Sequence, residues 1–231
     1  MNDEFKDIAV VIPVREGSTR VKAKVLLPFT DEYNLTEWKI RQIKEVLPSN
    51  QIYLSTNSKL LKSYAKKQGI SVHHRDDYYC DGHTATFSEV ITHIVSDIPY
   101  KHIAWVTVVV PLMSPEEYKN AFIMYLRSIN RVNGNDSLVS VNLLKEYLWN
   151  DDGPLNYRAD KNHTYSQDLP NIYRVTNGLY MRDKKSILKD KYFLGTNPAM
   201  FPVSTIAGVD IDVQEEYDIS RALLKLYNAE K

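Results

Sequence analysis

The stretch IAVVIPVREGSTRVKAKVLLPF, Ile8 to Phe29, decides how the rest of the chain is read. Its opening run, Ile8 to Ile12, is rich in β-branched residues and reads as a buried strand. Pro13 lacks an N–H and is expected to stop the ladder. A loop then carries Arg15, Gly17, Ser18, Thr19, Arg20, Lys22 and Lys24. Cations, hydroxyls and a glycine at the end of a first strand make a cradle for a polyphosphate. Gly17 can take φ > 0 and let the backbone approach closely. Arginine adds a bidentate fork that lysine cannot supply. The same residues also fit a solvated basic turn after a core strand. No GxxxxGK[ST] and no GxGxxG occurs, so neither the P-loop nor the dinucleotide fingerprint is present.

The chain has 231 residues, 43% of them hydrophobic, enough for one α/β domain over residues 1–231 with a full core. Twenty-nine basic residues balance twenty-nine acidic ones. A field that would recruit nucleic acid or a membrane is therefore not expected, and only a local patch can serve an anionic ligand. The lone cysteine, Cys80, rules out an intrachain disulfide and fits a reducing compartment. The opening MNDEFKD is polar and acidic, unlike a secretory signal. The apolar run Ile103 to Met113 is interrupted by Thr107 and Pro111 and is too short for a bilayer. These features lead to the expectation of a cytoplasmic protein. The histidines show no metal-ligand spacing, and Cys80 lacks the local His or Lys of an activated nucleophile.

Strand-like and helix-like segments alternate, which predicts a mostly parallel sheet flanked by helices. Helices are expected over Leu35 to Leu47, Ser58 to Gln68 with Gly69 closing it, and Thr86 to Ile98 with Phe87, Val90, Ile91, Ile94 and Val95 on one face. Another starts at Ser114, whose Pro115 and Glu117 complete a capping box, and runs to about Ile129. Strands are expected over Gln51 to Thr56, Ile70 to His74, His102 to Val110 (the central one), Ser137 to Asn142, Ile172 to Met181 and, last, Ser204 to Val213. Lys145 to Pro170 lacks periodicity and reads as an excursion from the sheet. Gln214 to Asn228 closes the chain as a helix with Ile219, Ala222, Leu223 and Leu226 inward.

A second informative stretch is VDIDVQEEYDI, Val209 to Ile219. Strand alternation puts Asp210 and Asp212 on one side and Val209, Ile211 and Val213 on the other. Two such carboxylates at a strand end can hold a hard cation such as Mg²⁺. Asp212 followed by Glu215 equally fits a helix capping box. Asn177-Gly178 fits a tight turn.

Four ordered segments resemble the nucleotidyltransferases that activate sugars, in particular the cytidylyltransferases of 2-keto-3-deoxy acid sugars. The first loop is similar to IPARGGSKGIPGKNL of the acylneuraminate branch and ARxGSTRLPGKxL of the octulosonate branch, through Ile12, Pro13, Arg15, Gly17, Ser18, Thr19, Arg20, Lys24 and Leu26. It departs at Glu16, Lys22 and Ala23. Arg75 to Ala85 resembles RPxxLAxDxA at Arg75 and Asp81, with Cys80 where a small residue is usual. Gln167 to Met181 resembles RQDLPxxYxxNGAIYI, with Ser166 in place of the arginine. Val209 onward resembles IDIDTEEDxxxAE. The family's LQPTSP or QGDEP is VVVPLMSP here, which puts Val109 and Val110 where a metal-binding aspartate and a glutamine or glutamate stand.

The resemblance implies a Rossmann-like three-layer nucleotidyltransferase fold of the glycosyltransferase-A type, mostly parallel, with an excursion at 143–180 that pairs two subunits in a homodimer. It implies CTP and an acidic sugar, sialic-acid-like, as substrates, giving a CMP-sugar and pyrophosphate with Mg²⁺. By the same resemblance Arg15, Gly17, Ser18, Arg20, Lys24, Arg75, Cys80 and Asp81 bind the nucleotide. Arg15, Lys24 and Asp212 serve catalysis, Asp210 and Asp212 hold the metal, and Gln167 and Asn177 contact the sugar. A glycosyltransferase using the same fold, and a non-catalytic nucleotide- or sugar-binding homologue, remain the alternative functions.

Overall fold

The computed structural model describes residues 3–17, 21–82 and 84–229. Ser18, Thr19 and Arg20, three of the residues expected in the first loop, lie outside them.

The chain opens with β1 (Ile8–Pro13) and continues through α1 (Leu35–Lys44), β2 (Ile52–Thr56), α2 (Lys59–Gln68), β3 (Ser71–His74), α3 (Phe87–Ser96), β4 (His102–Val106) and α4 (Pro115–Ile129). It then forms β5 (Ser137–Leu144), a small ribbon of β6 (Trp149–Asn150) and β7 (Gly153–Pro154), β8 (Ile172–Asp183), α5 (Lys184–Asp190), β9 (Pro198–Pro202) and α6 (Gln214–Ala229). Seven strands make one sheet in the order β3-β2-β1-β4-β8-β5-β9. Only β8 runs against its neighbours. This is a Rossmann-like, mostly parallel α/β arrangement.

Strand β1 shows why the layers form. Ile8, Val10 and Ile12 pack into one core with α1, α2 and α4, while Ala9 and Val11 pack into the other with α3 and α5. A one-residue slip would drive Ile8 into the site sized for Ala9, an overpacking of roughly 1–3 kcal/mol. Capping boxes start three helices, at Asn34/Glu37, Thr86/Glu89 and the expected Ser114/Glu117. Gly69 closes α2 at φ 70°. No helix among the described residues is long and apolar enough to cross a membrane.

Several sequence expectations are corrected. Pro13 does not stop the ladder: it pairs with Ser55, and Val14 N donates to Ser55 O at 3.0 Å. Successive N–H groups point to opposite sides, so Pro13's missing donor faces β4, whose pairing with β1 has already ended at Val11. Strand β4 ends at Val106, four residues early, where the chain turns toward the cleft described below. One edge of the sheet is β9, which, like α5, lies where no element is expected from the sequence; Ser204 to Val213 is no strand but a 3-10 turn, Ile206–Gly208, and an extended segment off the sheet. Helix α6 buries Tyr217, Ser220 and Tyr227, leaving Ile219 and Leu226 exposed. The tyrosines win because their rings carry more apolar area and their hydroxyls find partners: Tyr217 donates to Pro28 O, and Tyr227 receives Gln42 Nε2 at 3.0 Å.

Candidate active site

Chain topology makes a crevice where β1 and β4 lie side by side. From β1 the chain moves outward to β2 and β3, then returns on the other side as β4, so the loops leaving β1 and β4 diverge. Open parallel sheets bind ligands at such a point, beyond the carboxyl ends of the strands. A cavity of about 660 Å³ lies there, lined by residues that include Arg15, Arg75, Asp81, Asn177, Asp210 and Asp212.

Arg15 leaves β1 and reaches the loop after β3. Its Nη1 donates to Cys80 O at 3.0 Å, and its guanidinium lies against Gly82, where an added Cβ would stand 2.7 Å from both terminal nitrogens. The sequence reading missed Gly82; the fit of this arginine explains it. At Gly17 an added Cβ meets nothing within 4 Å and φ lies outside the left-handed region, so the expected close approach there is not seen. Gly17 lines a shallower hollow beside the main cavity, together with Cys80 and Asp81.

Arg75 and Cys80 build the loop. Arg75 is buried, with Nε donating to Cys80 Sγ at 3.1 Å and Nη2 to Val14 O. Burial lowers its pKa and the nearby Arg15 lowers it further, which Cys80 offsets only in part. Within the loop, Tyr79 stacks on His93 of α3, ring centres 4.0 Å apart, and lines the cavity.

The basic and acidic stretches meet. Ala23, at φ 51°, turns the chain so that Lys24 points inward. The buried Lys24 Nζ donates to Ile211 O and lies 3.4 Å from Asp212 Oδ1. Ile211 N donates to Val109 O at 2.9 Å and its side chain is buried, which leaves Asp210 and Asp212 facing the cavity as alternation required, though without a ladder. The capping role falls to Glu216, not Glu215: its Oε2 accepts from Asp212 N at 2.6 Å and Val213 N at 3.0 Å.

Asn177 is no turn residue. It sits inside β8 at φ 58°, where the register against β5 shifts between Val139 and Val141. The bulge aims its amide at the acidic pair. Nδ2 donates to Asp210 Oδ2 at 2.8 Å, Oδ1 accepts from Tyr180 at 2.6 Å, and the backbone carbonyl accepts from Thr107 at 2.7 Å. Burial pushes the Tyr180 hydroxyl up to about 12, so it stays a donor.

The other Asp210 oxygen, Oδ1, is buried without a hydrogen-bond partner. Burial raises this carboxyl's pKa, Asp212 and Glu216 raise it further, and Asn177 and Lys24 oppose them. Among the described residues no three metal-ligating side chains cluster, so an ion here would draw its remaining ligands from phosphate and water, as Mg²⁺ commonly does.

The apolar half of the cavity, including Phe87, Trp105, Tyr192 and Phe193, was not foreseen. Phe87, expected inward, is 53% exposed because the first residue of α3 points over the cavity edge onto Phe193, ring centres 5.5 Å apart. Gln167 is exposed on a 3-10 turn of the excursion and is not among the lining residues.

Comparison with known proteins now decides the class. The sequence matches the family described as cytidylyltransferase over residues 9–228. The chain belongs to the cytidylyltransferase family. Members of that family are CTP-using nucleotidyltransferases. Among solved structures the chain is similar to a CMP:2-keto-3-deoxy-manno-octonic acid synthetase complexed with CTP, at 12% identity and TM-score 0.68, covering 95% of this chain and 98% of that one. It is also similar to 4-diphosphocytidyl-2C-methyl-D-erythritol synthase from Anaerococcus prevotii, at 14% identity and TM-score 0.65, covering 97% and 100%. At such identities these likenesses speak for the fold. No curated protein matches the sequence significantly.

Proposed function

We propose that this cytidylyltransferase activates an acidic 2-keto-3-deoxy sugar, sialic-acid-like, with CTP and Mg²⁺, giving a CMP-sugar and pyrophosphate for surface polysaccharide or glycoconjugate synthesis in the cytoplasm. The observation that carries the reading is the meeting of Lys24 and Asp212, 188 residues apart in sequence, at 3.4 Å beside Asp210.

In this reaction the sugar hydroxyl oxygen bonds to the α-phosphorus of CTP and gives up its proton to solvent, while the bond from that phosphorus to the bridging oxygen breaks and pyrophosphate leaves. The chemistry asks for positioning and charge neutralisation, not a covalent enzyme intermediate. Arg15, held against Gly82, presents its guanidinium to the phosphates, and the nucleotide-binding role proposed for Gly17, Ser18 and Arg20 rests on the resemblance of their sequence alone. Lys24 stabilises charge on the leaving group and, by its contact with Ile211 O, keeps the acidic segment seated. Asp210 and Asp212 would hold Mg²⁺, which when bound supplies neutralisation of triphosphate charge. The loop built by Arg75, Cys80 and Asp81 forms the wall for the base. Asn177, fixed by Tyr180 and Thr107, faces the acceptor.

Gln167 reaches a sugar only from a neighbouring subunit, so the proposal includes a homodimer joined through the excursion. Trp149, Leu155 and Tyr165 there are 60%, 59% and 68% exposed, an apolar surface that a second copy would cover.

The test is incubation with CTP, Mg²⁺ and a panel of keto-acid sugars. Sugar-dependent pyrophosphate release is expected. Release of nucleoside diphosphate from a preformed nucleotide-sugar would instead make the protein a glycosyltransferase, and nucleotide binding with no turnover across the panel a binding homologue.

A further inference from the structure

The acidic segment that ends in Asp210 and Asp212 belongs to no strand, so something other than a ladder must fix its place. Upstream of it, Val203 to Gly208 is tied down at several points. Val203 N donates to Val141 O at 2.9 Å. The buried Asn142 side chain, on β5, donates through Nδ2 to Val203 O and Ser204 O, each at 3.2 Å. Its Oδ1 accepts from Arg174 Nη2 of β8 at 2.8 Å, and the same Nη2 donates to Gly208 O at 3.0 Å. Gly208 lies so close to the Asn142 amide that an added Cβ would stand 1.7 Å from Oδ1. Carbonyls on one side and a guanidinium on the other leave one sensible orientation for that amide.

We propose that Asn142 and Arg174 are positioning residues for the carboxylate pair. They lock Gly208 against the sheet, two residues before Asp210, and so set where Asp210 and Asp212 stand relative to Lys24 and Asn177. Neither is among the residues that line the cavity, so their role is positioning. This rests on the reading of the acidic pair as the metal and phosphate site given above.

The chemistry favours Arg174 as the variable part. Its charge-assisted bond to a backbone carbonyl is worth more than a neutral one. Residue 174 is itself largely exposed, so truncating it leaves no cavity in the core. Asn142, by contrast, loses its bonds to Val203 O, Ser204 O and Arg174 at once.

The test compares wild type with Arg174→Met and Asn142→Ala, with Arg174→Lys as the conservative control. Amide hydrogen exchange of the peptide covering 203–213 is read without nucleotide. Exchange is expected to rise roughly tenfold or more in Arg174→Met. Circular dichroism and melting temperature should stay near wild type, and Arg174→Lys should recover part of the protection. In parallel, CTP binding is followed by fluorescence of Trp105, which lines the cavity, over a Mg²⁺ series. The Mg²⁺ concentration for half-maximal binding is expected to rise about tenfold in Arg174→Met. Unchanged exchange of 203–213 in a folded Arg174→Met protein overturns the proposal, whatever nucleotide does. Wild type that binds no CTP·Mg²⁺ while the exchange change is seen would count against the functional reading and leave the positioning role supported.

Discussion

Lys39 is fully buried in α1, its ammonium donating to Val110 O at 2.9 Å and meeting Tyr118 OH at 2.8 Å. Burial pushes its pKa down from 10.5 to about 7, with Glu117 opposing the shift. The folded state therefore holds this proton less tightly than the unfolded chain. Between pH 7 and the unfolded value of 10.5 the unfolded chain carries a proton the folded one lacks, and stability gained from this group rises with pH across that window. The stability difference between wild type and Lys39→Met, from urea unfolding, is expected to move in favour of wild type between pH 7 and pH 9. A difference that does not change with pH would show that Lys39 does not titrate there. At this scale the sequence was informative where a residue's chemistry is local. Arg15, Asp210, Asp212 and Asn177 all line the cavity. It was uninformative for Lys39, because nothing in a helix with one lysine on its apolar face says which carbonyl awaits it.

Elements were legible where burial alternates regularly and hidden where the backbone leaves the regular pattern. The buried strand β1 and the capping box at Ser114 appear as read. The bulge in β8 does not, because Asn-Gly signals a tight turn in isolation and only the paired strand reveals an irregularity. Ser140 of β5 makes the bulge possible: its Oγ accepts from Leu179 N at 2.9 Å and pairs with Thr176 Oγ1 at 2.7 Å, standing in for a ladder partner. Ser140→Ala leaves a buried N–H without an acceptor and is expected to cost about 1–3 kcal/mol. Denaturant unfolding checks this, and a loss under about 0.5 kcal/mol would mean the bulge holds without the hydroxyl. The α6 face was misread for a related reason. Hydropathy ranks Ile219 and Leu226 above Tyr217 and Tyr227, but the hydroxyl partners of the tyrosines lie on other elements and are invisible along the helix.

Across the whole molecule, the strand order could not be read from the sequence, yet it is what makes the site. The turn from β1 and the segment before α6 belong to opposite ends of the chain and meet because β1 and β4 lie at the point where the winding reverses. The chain belongs to a family of CTP-using nucleotidyltransferases, and the acidic pair is where the fold brings a buried, unpartnered carboxylate oxygen to the cleft. The most direct measurement is Mg²⁺-dependent pyrophosphate release from CTP, with the best acceptor of the sugar panel, by wild type and Asp212→Ala. The site described here predicts a fall of about a hundredfold or more, an order set by losing one preorganised electrostatic contact in phosphoryl transfer. An Asp212→Ala protein that folds and releases pyrophosphate at the wild-type rate would contradict it.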